Sequence, residues 1–94
     1  MPTYAILFSW TEQGIKNYKD SPSRVEAATE AMAKAGVRIR DIYWTIGPFD
    51  LVGIFDADSD EAATASLLAL GAQGNVRTTT MRAFDRAEFE QLIG

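Results

Sequence analysis

Between Tyr4 and Trp10 the chain alternates: Tyr4, Ile6, Phe8 and Trp10 fall on one side, Ala5, Leu7 and Ser9 on the other. A period of two predicts a β-strand. Because both sides are largely apolar, the strand reads as covered twice, by helices on one face and on the other by something further, such as a partner subunit. Thr11 then caps a short helical turn reaching Tyr18, with Ile15 and Tyr18 at helical spacing and Lys16, Lys19 and Asp20 in water. The helix restarts at Ser21-Pro22-Ser23, either with Ser21 as N-cap and Pro22 at the first position or with Ser23 and Glu26 as a capping box. Val25, Ala28, Met32 and Ala35 form its apolar stripe, and Gly36 ends it. The stretch Val37 to Ala57 predicts two strands joined by a turn at Gly47-Pro48-Phe49-Asp50. Ile42, Trp44 and Ile46 alternate before it, and Leu51, Gly53 and Phe55 after it. Asp58 and Glu61 are spaced as a capping box for an alanine-rich helix from Ser59 to Leu70, with Ala63, Leu67 and Leu70 inward and Gly71 as its stop. Gly74-Asn75 turns into a last strand, Val76 to Phe84, whose Thr78-Thr79-Thr80 suits strand geometry. Asp85 and Glu88 cap a short tail helix with Phe89, Leu92 and Ile93 on one side. Alone that helix is marginal, so it should dock on the body of the fold or on a neighbouring subunit.

The order β-α-β-β-α-β, two crossovers around a hairpin, predicts an α+β fold of ferredoxin-like type. Its four-stranded antiparallel sheet carries both helices on one face. The other face is left bare and apolar, a larger patch than monomers usually show. A second copy, sheet against sheet, is the simplest cover.

Composition narrows the function. Ninety-four residues, 47% hydrophobic and 23% charged, make one domain, 1–94. There is no apolar run of about 18 residues for a membrane span, and MPTYAILFSW lacks the features of a signal peptide, so a cytoplasmic location is expected. The chain has no cysteine, which removes disulfides, thiolate metal sites and a cysteine nucleophile. It has no histidine, which removes the usual general base and the commonest metal ligand, and argues against a haem-degrading role. No metal or other cofactor is expected. With a net charge of −4 and its six Arg and three Lys scattered, the chain is expected to bind neither nucleic acid nor an anionic membrane.

Four stretches carry a family resemblance: Thr11-Glu12-Gln13-Gly14-Ile15-Lys16-Asn17, Asp20-Ser21-Pro22-Ser23-Arg24, Gly47-Pro48-Phe49-Asp50-Leu51-Val52, and Gly74-Asn75-Val76 through Phe84. In these the chain resembles the GYD-domain proteins, small bacterial domains of the dimeric α/β-barrel superfamily. The resemblance implies the ferredoxin-like fold and a homodimer, and no settled activity. Phe49 stands where the family name implies Tyr, so acid/base work by a phenol at that position is closed to this chain.

Among candidate functional residues, Asp50 beside Phe49 and Trp44 is a potential general acid or base. The plainer reading is that it holds the turn backbone. Trp10, Tyr43, Trp44, Phe8 and Phe55 can line a pocket for a small ligand, although core and dimer-interface packing is the plainer reading of these aromatics. Arg77 and Arg82 lie an odd number of residues apart on one strand and so face opposite ways. An inward one can anchor a carboxylate or phosphate, or pair with Asp41 or Asp56. Two functions compete. The first is a non-catalytic homo-oligomeric module, a dimer or higher even oligomer, that binds a small apolar or weakly acidic molecule or serves in assembly. Its ligand residues would be Trp10, Tyr43, Trp44, Asp50 and Arg77. The second is a cofactor-independent oxygenase or isomerase working through Asp50, Tyr43 or Arg77 in a pocket between sheet and helices. The absence of histidine, cysteine and metal motifs favours the first.

Overall fold

The computed structural model describes residues 1–94. Its elements are β1 (Thr3–Trp10), α1 (Glu12–Lys16), a single 3₁₀ turn (Tyr18–Asp20), α2 (Ser21–Lys34), β2 (Val37–Trp44), β3 (Leu51–Ala57), α3 (Asp60–Ala72), β4 (Val76–Ala83) and α4 (Arg86–Ile93). The strands form one sheet in the order β2-β3-β1-β4, and every neighbouring pair is antiparallel. This is the ferredoxin-like fold, with β1 and β3 in the centre.

Cross-strand partners share a face of the sheet, so the register sorts the side chains. Tyr4 stands opposite Phe55 and Arg82, Ile6 opposite Gly53 and Thr80, and Phe8 opposite Leu51 and Thr78. That face meets the helices. Its core joins Tyr4, Ile6, Phe8, Leu51 and Phe55 to Met32 of α2 and Ala63 of α3. The opposite face carries Ala5, Leu7, Val52, Ile54 and Met81 at its centre, with Tyr43 beside Val52. Met81 and Tyr43 are exposed, and the other four are half-buried. The bare apolar face is thus present. In β2 the register slips between Ile39 and Asp41. The resulting bulge bends this edge strand, a common guard against pairing with another chain's edge.

Local chemistry explains the helix ends, and some differ from expectation. Thr11 caps α1, its Oγ1 accepting the Gly14 N–H. Ser21 does not cap α2: it is the first residue of the helix and buried, and its hydroxyl accepts the Trp44 indole N–H at 2.9 Å. Ser59, one residue after Asp58, caps α3 by accepting the Ala62 N–H. Gly71 lies inside α3. The turn that ends the segment uses Gly74, whose φ of 85° suits glycine. Strand β2 stops at Trp44, so Ile46 is fully exposed in the hairpin turn instead of continuing the Ile42-Trp44 face. Asp85 and Glu88 form the reciprocal capping box of α4. That helix does not dock on the body: none of its residues is buried.

Candidate functional site

Thr11, Gln13 and Gly14 pack against the loop between α3 and β4. The Thr11 backbone N–H donates to the Asn75 carbonyl at 3.1 Å, and its hydroxyl donates to the Gly74 carbonyl. The Gln13 amide donates to the Gln73 carbonyl and to the Asn75 side chain. A Cβ on Gly14 would stand 2.0 Å from the Asn75 carbonyl oxygen, so only glycine permits this approach. Two stretches about sixty residues apart in sequence therefore make one corner. Arg24 of α2 adds a third side, donating to the Asn17 and Gly14 carbonyls at 3.1 and 3.3 Å. Its charge meets only carbonyl dipoles there, and no carboxylate pairs with it.

Beneath this corner, between the sheet and α2, lies a cavity of about 50 Å³. Phe8, Leu51, Phe55 and Met32 give it apolar walls, and Trp10, Ser21, Arg24, Gln73 and Asn75 complete the lining. The volume is that of about four water-sized spheres, and walls so apolar favour a small hydrophobic group over water. The Trp10 indole N–H is buried without a hydrogen-bond partner. Such a group costs about 1–3 kcal/mol when left unpaired. The cavity is therefore an apolar space, and one of its lining residues carries an unused donor. Its one charged residue is Arg24, and no carboxylate or phenol lines it.

Of the residues singled out in the sequence, the structure brings Phe8, Trp10 and Phe55 together here. Trp44 is on the same side of the sheet, its ring half exposed and its N–H held by Ser21. Asp50 is half-buried and joins the hairpin to the end of β1. Its carboxylate accepts the Trp10 backbone N–H at 2.8 Å, its own N–H donates to the Phe8 carbonyl, and its carbonyl accepts the Thr45 N–H. The carboxylate thus holds the backbone of the neighbouring strand, where the sequence reading expected it to hold the turn. Tyr43 and Arg77 lie on the open face instead. Arg82 faces the helix side as the odd spacing required. It lies over the Phe84 and Tyr4 rings and 3.9 Å from Asp60. Asp56 is taken by Arg40 at 3.6 Å. Sequence reasoning did not place Ser21, Arg24, Gln73 or Asn75 at a site, although Arg24 and Asn75 stand in the family-like stretches; only folding brings them beside Trp10.

One phenol is strongly perturbed. Tyr4, in the core next to α3, is pushed up to about 12, first by burial, then by its hydrogen bond to Asp60 and that carboxylate's charge.

A family model described as the GYD domain matches residues 4–93. A curated relative from Thermus thermophilus, the "Glutamine synthetase and cystathionine beta-lyase binding protein", is 28% identical over 89 residues, covering 94% of each chain. A crystal structure of a Thermus thermophilus protein superposes with a TM-score of 0.55 at 26% identity, over 90% of this chain and 95% of that one. A dimeric ferredoxin-like protein from an uncultured marine organism superposes with a TM-score of 0.53 at 13% identity, over 92% and 95%. The last likeness shows the fold alone.

Proposed function

Because the chain belongs to the GYD domain family, we propose that it is a homo-oligomeric binding module whose copies join through the open sheet face. One observation carries this reading: Ala5, Leu7, Val52, Ile54 and Met81 form an apolar centre on a face that no element of the chain covers. Charged residues, Asp41, Asp56 and Arg77, lie around that centre. Apolar centre and polar rim are the anatomy of a specific interface. The helix-side cavity supports a small ligand, apolar or weakly acidic. Its tail would fill the space among Phe8, Phe55 and Met32, and its acceptor atom would meet the Trp10 N–H or the unpaired charge of Arg24. The absence of any acid or base lining the cavity favours binding over turnover. The name of the Thermus thermophilus relative, a binding protein for two enzymes, supports an assembly role of the same kind, with a protein partner bound by the dimer.

Native mass spectrometry of the purified chain and of Leu7→Asp tests the reading. The expected result is an even-numbered oligomer that Leu7→Asp converts to a folded monomer. An added small mass on the oligomer would identify the ligand class. An oligomer without added mass removes the small ligand and leaves the assembly module. A monomeric wild-type chain overturns the proposal.

A further inference from the structure

We propose that α4 is a clasp between subunits, its apolar stripe packing on a second copy of this chain. This rests on the sheet-face dimer proposed above. The helix is well made but has nothing to bury against. Its N-terminus carries both halves of a capping box, at 2.8 and 2.9 Å, and Arg86 pairs with Glu90 at 2.9 Å on the next turn. Yet Phe89, Leu92 and Ile93, which share one side of the helix at i, i+3 and i+4, are 54, 61 and 70% exposed. Eight residues are too few for a stable helix in water by local terms alone. A sequence that spends three large apolar residues there has a partner for them.

Position says which partner. The hollow at the root of α4 is lined by Thr3, Ile54 and Ala83 of the open face together with Asp85 and Glu88. The helix therefore starts at the rim of the face where a second copy would sit. It reaches about 12 Å from there. The molecule is elongated, with a longest dimension of 48 Å and a radius of gyration of 13.8 Å, against about 12 Å for a compact domain of this length. Area points the same way. Four strands of about eight residues give a flat footprint on the order of 500 Å², and twisted sheets do not touch over all of it. A standard interface buries about 800 Å² on each partner. The stripe of α4 is apolar area at the edge of that footprint. Charge agrees: with Glu90 paired to Arg86, Asp85 and Glu88 leave the helix acidic at its root, and Arg77 on the open face has no ion-pair partner.

Sedimentation over a dilution series tests the clasp on three full-length proteins: wild type, the double variant Phe89→Ser with Leu92→Ser, and Leu7→Asp. Circular dichroism checks that each is folded. The double variant should still dimerise, with a dissociation constant raised on the order of 100-fold, because each side chain lost is lost twice across a two-fold interface. A double variant with an unchanged constant overturns the clasp while the sheet-face dimer stands, and leaves the stripe to another macromolecule. A wild-type chain that stays monomeric in the concentrated samples overturns the dimer and the clasp with it. A dimer that survives Leu7→Asp but not the double variant overturns the sheet-face reading and keeps α4 as the contact between copies.

Discussion

Tyr4 shows how one side chain ties strand to helix. Its ring is in the core, its hydroxyl donates to Asp60 in the first turn of α3, and Arg82 lies over its face. A phenolate there would lose its water and face the Asp60 carboxylate, so the neutral form is favoured and the value rises from 10.0 to about 12. A folded value above the unfolded one makes this stability complete below about pH 10. It is lost as pH rises towards 12, because the unfolded phenol ionises first. At about 1.4 kcal/mol for each pH unit, the loss is at most on the order of 3 kcal/mol, and water around the exposed Asp60 carboxylate screens part of it. Urea unfolding from about pH 9 upward to about pH 12 should show it, and Tyr4→Phe should flatten the profile. An equally steep profile in Tyr4→Phe would assign the alkaline loss to other groups. Asp50 acts on the same scale. It reads in the sequence as a turn residue, but its carboxylate serves Trp10, forty positions away. Spacing along the chain does not reveal that partner, because β1 is brought beside the hairpin only when the sheet forms.

At the scale of elements, two glycines make opposite demands. Gly14 in α1 is pressed against the Asn75 backbone, and a methyl there must push the corner open. Gly71 sits in α3 with ordinary helical geometry and open space around it. Gly14→Ala should therefore cost about 2 kcal/mol or more, whereas Gly71→Ala should stabilise by about 0.5–1 kcal/mol through helix propensity. Thermal melts of the two variants in parallel would check this. A neutral Gly14→Ala would mean that the corner is loose. Strand and helix identities were legible because their apolar periods are clean. Cap assignments were less so. Asp58 and Ser59 both have capping chemistry, and the backbone geometry at the start of α3 decides between them. Ser21 likewise suits a cap by type, but the indole of Trp44 claims its hydroxyl first.

At the scale of the molecule, dimerisation couples stability to concentration. If two copies share the open face, a tenfold rise in protein concentration adds about 1.4 kcal/mol per dimer. The melting midpoint should then climb by about 3–5 °C. A midpoint that ignores concentration would speak against a dimer formed on folding. The sequence alone determined the strand and helix order, the antiparallel ferredoxin-like sheet and its two-sided β1, because these follow from local periodicity and short connections. Tertiary structure decided what depends on distant segments meeting. It joined Thr11-Gly14 to Gly74-Asn75, set Trp10 and Arg24 around one cavity, sent Tyr43 and Arg77 to the far face, and left α4 with its apolar side in water. Periodicity says which way a side chain faces; only the packed chain says what it meets there.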